Sequence, residues 1–296
     1  MPQLQKDVLS TLAYTDQFDY PLTSREVYQR LIRNKPTTQQ KVQNSLNKLA
    51  RLKSVSERGD QYCLKGSEKN FAVRKKREKI SQKKHQQVRK AVKILRRIPW
   101  ISAIFVTGSL AMNNSTDRGD IDFMIVTQPN RLWLTRPLAV LISMLLGKKR
   151  SRLTEEPNSW CFNLWMTTNS LTIQADRRSV FTAYEVCQAR CVFDRGQTHL
   201  KFMKQNSWIK QLLPNYYAKQ ISSLKKTSTG TSPKQVIFWK GLDLLLYSLQ
   251  TIYMKPHQTR ELVNRQLAFF HPRNTKKIIY KNWKKSTPPH TASKPD

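Results

Sequence analysis

The sequence has few acidic residues, few glycines and few cysteines. Its 296 residues include 19 Asp and Glu against 53 Lys and Arg, together with 8 Gly and 4 Cys. The glycine content excludes a collagen-like or low-complexity chain, and the cysteine content excludes a small scaffold held together by disulfides. Because 7 Trp, 10 Tyr and 11 Phe are present, the chain is expected to fold around a hydrophobic core rather than to be disordered throughout.

Long apolar segments are also absent. No stretch reaches the roughly 20 apolar residues that a transmembrane helix needs, and the first residues include Lys6 and Asp7 where a secretory signal would be apolar. We therefore expect a cytoplasmic protein whose cysteines are reduced thiols. Cys187 and Cys191 lie four residues apart, and we expect them to pack as thiols rather than to bind a metal.

The formal net charge of +34 favours an anionic partner, with nucleic acid ahead of an acidic membrane surface. The charge is densest in residues 71–98, which carry 12 basic residues and 1 acid and contain neither Gly nor Pro. We interpret this segment as a basic connector helix that ends before Pro99. Contact with a polyanion would relieve its self-repulsion through counterion release, although such a run is often a solvated helix face. We interpret six cations of this segment as lying in solvent or on a polyanion. The predicted nucleic-acid-binding residues are Arg74, Lys75, Lys76, Arg77, Lys83 and Lys84.

Residues 1–70 have the pattern of a small helical unit. After a first amphipathic helix, Thr23–Glu26 has the spacing of a capping box and predicts the start of a second helix. Thr37–Gln40 repeats this spacing before a third helix, and a turn at Arg58–Asp60 joins two short strands. Three helices closed by a hairpin resemble a winged helix-turn-helix domain, whose third helix would contact nucleic acid. Docking to another protein is the alternative role.

The chemical pattern begins with an apolar run, Ile101–Thr107, which is typical of a buried strand. The run ends at Gly108 and Ser109, where a close backbone approach and a helix start suit phosphate oxygens. Ten residues later come Asp120 and Asp122. Side chains two residues apart on a strand share a face, so the two carboxylates are predicted to lie side by side. A divalent cation such as Mg²⁺ or Mn²⁺ stabilises such a pair.

The order strand, Gly-Ser, ten residues, Asp-hydrophobic-Asp, strand resembles the nucleotidyltransferase superfamily that includes DNA polymerase β. The motif covers about residues 101–127, and the overall order of segments resembles uncharacterised bacterial nucleotidyltransferase-domain proteins. The resemblance implies a palm with a mixed sheet that transfers a nucleoside monophosphate from an NTP and releases pyrophosphate. It also implies that Asp120 and Asp122 hold Mg²⁺ or Mn²⁺ and that Gly108 and Ser109 bind the triphosphate.

The family pattern usually includes a third carboxylate on a neighbouring strand. The candidate strand is Trp160–Thr167, where alternation predicts Cys161, Asn163 and Trp165 on one face. This strand contains no acid, so the third catalytic position is either Asn163 or is filled from elsewhere in the fold. A neutral amide can orient a neighbouring group, but it does not accept a proton at neutral pH.

The C-terminal half is predicted to be mainly helical. Val236–Met254 is an amphipathic helix that we interpret as packed on the core, with docking on a membrane surface as the less favoured alternative. The fold class is α/β, of the α+β kind. The predicted organisation is a winged-helix-like domain at 1–70, the basic connector helix at 71–98, a palm domain at 99–200, a basic helical region at 201–285 and a disordered tail at 286–296.

These features favour a Mg²⁺-dependent nucleotidyltransferase whose acceptor is a nucleic acid held by the basic surface. The alternative is a non-catalytic nucleic-acid-binding protein that retains a degenerate palm, and the missing third acid favours it. A third interpretation is an enzyme that modifies a protein or a small molecule.

Overall fold

The described part of the chain forms two sheets, one of three strands and one of six, surrounded by helices. This places it in the α+β class, as the sequence predicts. No helix in the described part of the chain is long and apolar enough to cross a membrane. The predicted tail lies outside the described residues beyond the last helix. The computed structural model describes residues 1–149, 157–224, 238–255, 262–270 and 275–286.

The N-terminal unit contains three helices and a three-stranded sheet. The predicted capping box is present, because the Thr23 hydroxyl accepts from the Glu26 amide and the Glu26 carboxylate accepts from the Thr23 amide. The third helix is capped by Thr38 rather than by Thr37. The elements are α1 (Gln3–Asp16), β1 (Leu22–Thr23), α2 (Ser24–Arg30), α3 (Gln39–Arg51), β2 (Val55–Arg58) and β3 (Gln61–Leu64).

The predicted basic connector is one long helix, α4 (Asn70–Leu95). Its C-terminal half buries Val88, Ala91 and Leu95 in a core that it shares with the six-stranded sheet. The helix therefore packs on the sheet along one side instead of standing apart as a solvated linker.

The remainder of the chain builds the six-stranded sheet and the helices on its two faces. The elements are β4 (Ile101–Val106), α5 (Gly108–Ala111), β5 (Ile121–Thr127), α6 (Leu132–Leu145), β6 (Trp160–Thr167), α7 (Val180–Gln188), β7 (Arg190–Asp194), α8 (Thr198–Gln205), α9 (Pro214–Leu224), α10 (Phe238–Met254), β8 (Leu262–Val263), β9 (Leu267–Phe269) and α11 (Thr275–Ser286). The strand order is β7-β4-β5-β6-β9-β8, and β5 and β6 are the parallel neighbours. The region predicted as helical from residue 201 therefore also contributes two strands, because β9 pairs with β6.

The two faces of this sheet line two separate cores. Phe105 and Met124 lie in one core, together with residues of α1, α7, α8 and α9. Ile125 and Trp165 lie in the other, together with residues of α4, α6 and α10. Successive side chains of a strand alternate between faces, so Asp122 belongs to the same face as Met124. The candidate site is therefore on the side of the sheet that α1 and α7 cover.

Candidate functional site

The Gly-Ser turn is held against the start of β5. The backbone amide of Thr107 donates to the carbonyl of Asp122 at 3.0 Å. Gly108 has a φ of +60°, a conformation that side-chain-bearing residues rarely adopt. A Cβ atom on Gly108 would lie 2.6 Å from Asp122 Oδ2, so glycine is what allows the turn to approach this carboxylate. Ser109 follows and is exposed, in the position predicted to bind phosphate.

The predicted carboxylate pair is brought together where β5 begins. Ile121 is fully buried and anchors the strand, while Asp120 and Asp122 on either side of it are half-buried. One ligand atom each from Asp120, Asp122 and Cys161 lie within 4.8 Å of one another. The structure therefore groups the two carboxylates as predicted, and it adds a thiol that the sequence did not suggest.

A β-bulge in β6 brings a second side chain to the carboxylates. Asp122 is opposite Cys161, but the residue two positions further along β5 is opposite Leu164, so β6 carries one extra residue in this interval. The predicted alternation is therefore wrong beyond the bulge, because Trp165 packs into the core of the opposite face. Asn163 lies within the bulge and reaches Asp122.

Asn163 orients the carboxylate of Asp122. Its Nδ2 donates to Asp122 Oδ1 at 2.9 Å, and its side chain is buried. Its Oδ1 is buried without a hydrogen-bond partner among the described residues. Because an amide does not accept a proton near neutral pH, Asn163 is suited to position Asp122 and to offer a ligand oxygen, and not to act as a base.

A further carboxylate near this site belongs to α7 rather than to the sheet. Glu185 lines the same cavity as Gly108 and Ser109, on the face of the sheet that carries Asp122. The sequence left the third position to Asn163 or to a residue from elsewhere in the fold, and it did not point to Glu185. The signal was present, because Glu185 is the only acid in the otherwise largely apolar helical segment Phe181–Val192.

The environment of Glu185 favours its protonated form. Burial is the main cause that raises the pKa of Glu185 to about 7, and the negative charge of Asp122 contributes in the same direction. A hydrogen bond of 2.7 Å from Gln188 opposes the shift. The unfolded chain loses this proton near pH 4.5 and the folded chain near pH 7. The stabilisation from the protonated form is therefore complete below about pH 4.5 and is lost as the pH rises to about 7.

A cavity of about 580 Å³ adjoins the Gly-Ser turn. Its walls are largely aromatic and apolar, with Tyr14 from α1, Phe181 from α7 and Phe202 from α8 among them. Arg30 and Arg177 add positive charge to the lining. Small-molecule sites typically occupy roughly 300–1,000 Å³, so the cavity is large enough for a group the size of a nucleoside.

Lys84 is not available to nucleic acid, contrary to the sequence prediction. It is 2% exposed, and its ammonium donates to the carbonyl of Gly119, next to Asp120. Burial lowers the pKa of Lys84, while the nearby carboxylates of Asp120, Asp117 and Asp122 act in the opposite direction. Its role in the structure is to hold the loop that leads into β5.

Arg74 is a second exception to the predicted nucleic-acid surface. It is 6% exposed, and it forms ion pairs with Glu26 at 2.7 Å and with Glu78 at 2.8 Å. Arg77 is half-buried and pairs with Asp19 at 3.0 Å. Both arginines therefore attach α4 to the N-terminal unit, because their ion-pair partners Glu26 and Asp19 belong to that unit.

The other predicted nucleic-acid-binding residues are exposed. Lys75, Lys76 and Lys83 lie on the solvent side of α4. The same helix is anchored to the loop before β5 by the Lys84 contact and by a hydrogen bond of 2.8 Å between His85 and Asn113. The exposed lysines therefore lie on the same helix as the two residues that hold the loop before Asp120.

Comparisons of this chain with protein-family models, with curated proteins and with solved structures found no match. The relationship to nucleotidyltransferases that the motif suggests therefore stays a prediction.

Proposed function

We propose that the chain is a divalent-metal-dependent nucleotidyltransferase that moves a nucleoside monophosphate from an NTP to an acceptor. The observation that carries the proposal is the approach of Gly108 to the carboxylate of Asp122, with Asp120 grouped beside it. A glycine turn with an exposed hydroxyl at Ser109 offers backbone and side-chain donors for phosphate oxygens. Two half-buried carboxylates next to it offer oxygen ligands to the divalent cation that accompanies a triphosphate.

The donor set at this place fits a hard divalent cation. Asp120 and Asp122 provide carboxylate oxygens, and Asn163 Oδ1 provides a buried oxygen without a protein partner among the described residues. Mg²⁺ and Mn²⁺ prefer such oxygen ligands, whereas the Cys161 thiol is a softer donor that suits other metals. A cation held here would neutralise charge on the triphosphate and on the departing pyrophosphate.

The protein's own groups have distinct roles in the proposed transfer. The acceptor hydroxyl oxygen forms a bond to the α-phosphorus, the bond from that phosphorus to the β-bridging oxygen breaks, and pyrophosphate leaves. The turn at Gly108 and Ser109 holds the β- and γ-phosphates, and Asn163 keeps Asp122 in place. The proposed base is Glu185, on the cavity wall beside the turn, which with a pKa of about 7 is partly ionised near neutral pH and in that form takes the acceptor proton.

A nucleic acid is the proposed acceptor. The exposed lysines of α4 lie on a helix that contacts the loop before Asp120, so a bound polyanion would pass close to the reacting phosphate. Phosphate contacts of this kind are independent of sequence and weaken with salt. Arg74 and Lys84 are buried and Arg77 pairs with Asp19, which reduces the predicted surface to Lys75, Lys76 and Lys83.

The test is transfer of label from each labelled NTP to total cellular RNA, DNA or protein in the presence of Mg²⁺ or Mn²⁺. We expect label in a nucleic-acid fraction, and we expect Asp120→Asn/Asp122→Asn to abolish it. Asp117→Asn, an exposed acid in the same loop, is the matched control and should retain transfer. Unchanged transfer in the double variant would contradict the proposal.

The second candidate is a non-catalytic nucleic-acid-binding protein that retains a degenerate palm. The amide of Asn163 at the expected third acidic position favours it. In that case NTP would show no metal-dependent binding and no fraction would gain label. Label in the protein fraction would instead support the transferase and show that its acceptor is a protein.

A further inference from the structure

The surface formed by α6 and α10, here called the α6–α10 face, exposes an unusual amount of apolar side chain. Fourteen large apolar residues are exposed in the described part of the chain, and ten of them belong to this face. They are Leu138, Leu141, Met144, Leu145 and Leu146 from α6 and its C-cap, and Leu244, Leu245, Leu249, Ile252 and Tyr253 from α10.

The two helices present these residues on the same side of the molecule. They pack on each other, since the rings of Trp133 and Tyr247 are 5.0 Å apart and Gln250 donates to the Trp133 carbonyl at 2.8 Å. Both helices also contribute to the core on the same face of the six-stranded sheet. Their outward side chains therefore point away from that sheet face together.

The exposure is large and follows helical spacing. Leu145 is 78% exposed and Ile252 is 70% exposed. On α10 the positions of Leu245, Leu249 and Ile252 recur at intervals of four and three residues, which is one helix face. A helix that is apolar on its outer side as well as its inner side is normally covered by a core or by lipid. Contiguous apolar patches are uncommon on soluble monomers, and they mark interaction sites.

Charge identifies the kind of surface that complements this face. Lys149, Lys240 and Lys255 at the ends of the two helices are exposed. Asp243 is the only acid on either helix, and it is buried, where it accepts from the Leu134 amide at 2.9 Å. Exposed leucines with lysines at the ends of their helices match an anionic bilayer, where the leucines enter the interface and the lysines meet the headgroups.

Two other occupants fit less well. A second copy of the chain would bring together two molecules that each carry a net charge of +34. A nucleic acid would gain nothing from the apolar centre of the face, because its phosphates need cations and its bases need exposed stacking or hydrogen-bonding partners.

We propose that the α6–α10 face docks the protein on the surface of an anionic lipid bilayer. Insertion is limited to the interface, since no helix in the described residues can span the membrane. The docking is independent of the proposed reaction, because the carboxylates lie on the opposite face of the sheet. A docked protein therefore keeps its candidate site away from the lipid.

The test is cosedimentation of the full chain with vesicles of phosphatidylcholine alone or of phosphatidylcholine and phosphatidylglycerol in equal amounts. We expect binding to the anionic vesicles and weak binding to the neutral ones. Leu145→Gln/Leu249→Gln/Ile252→Gln should lower the partition coefficient about tenfold or more. The control Leu52→Gln/Ile278→Gln changes residues that are 64% and 57% exposed elsewhere on the surface, and it should bind as the parent does.

Three results would overturn the proposal. The first is that the parent protein does not bind anionic vesicles. The second is that the triple variant binds them as tightly as the parent, which would show that charge alone causes the binding. The third is that light scattering shows the parent protein to be a dimer and the triple variant to be a monomer, which would make the face an interface between copies. Thermal unfolding of both variants verifies that they fold. A separate variant, Lys149→Gln/Lys240→Gln, should weaken binding to the anionic vesicles most at low salt.

Discussion

Replacing Gly108 with alanine should damage both the fold and the candidate site, and the two effects can be separated. At a φ of +60° a side chain costs about 1–2 kcal/mol, because Cβ crowds the following carbonyl. The new Cβ would also lie 2.6 Å from Asp122 Oδ2, so the carboxylate must leave its rotamer at a cost of about 0.5–1.5 kcal/mol. The free energy of unfolding should therefore fall by about 1.5–3.5 kcal/mol.

Gly59→Ala is the matched control for the backbone contribution. Gly59 has nearly the same φ, +61°, and nothing lies within 4 Å of an added Cβ. We expect this variant to lose only about 1–2 kcal/mol in urea unfolding followed by tryptophan fluorescence. We also expect Gly108→Ala, and not Gly59→Ala, to lose metal-dependent NTP binding. Equal losses of stability together with normal NTP affinity in Gly108→Ala would refute the claim that the close approach shapes the site.

Three further predictions concern groups around the site. Glu185→Gln should leave the free energy of unfolding unchanged near pH 4 and raise it by at most about 3 kcal/mol at pH 8. The reason is that the buried Glu185 carboxyl, with a pKa of about 7, is ionised at pH 8 in the parent and destabilises the fold there. A constant difference between the two proteins in urea unfolding across this pH range would contradict the assigned environment. Asn163→Ala should weaken Mn²⁺ and NTP binding about tenfold while the secondary structure by circular dichroism stays intact, since the loss of one charge-assisted hydrogen bond costs about 1.5–3 kcal/mol; unchanged binding would remove its positioning role. Arg74→Met should lower the free energy of unfolding by about 3–5 kcal/mol by leaving the half-buried Glu26 without this partner, whereas the exposed control Lys76→Met should stay within about 0.5 kcal/mol; similar thermal stability for both variants would contradict the buried ion pair.

The parts of the site that the sequence predicted depend on neighbouring residues alone. Strand periodicity is enough to put Asp120 and Asp122 on one face, and the position of Gly108 after an apolar run is enough to predict a tight turn. The capping box at Thr23 is local in the same way. In each case the physical cause lies within a few residues of the chain, so a single sequence contains it.

The parts that the sequence missed depend on contacts between distant segments. Arg74 pairs with Glu26, which is 48 positions away in the sequence, and Lys84 bonds to Gly119, which is 35 positions away. Both cations are therefore buried, although the composition of their segment suggested that they lie in solvent. The register shift in β6 comes from its pairing with β5 and cannot be read from alternation. Glu185 reaches the site because α7 packs over the sheet.

Binding of Mn²⁺ to the protein, measured by electron paramagnetic resonance with and without NTP, tests the central claim most directly. That claim is that Asp120 and Asp122 hold a divalent cation together with a triphosphate. We predict that the parent protein binds Mn²⁺ more tightly when NTP is present, and that Asp120→Asn/Asp122→Asn loses about tenfold or more of this affinity. Equal Mn²⁺ binding by the parent and the double variant, with and without NTP, would contradict the account.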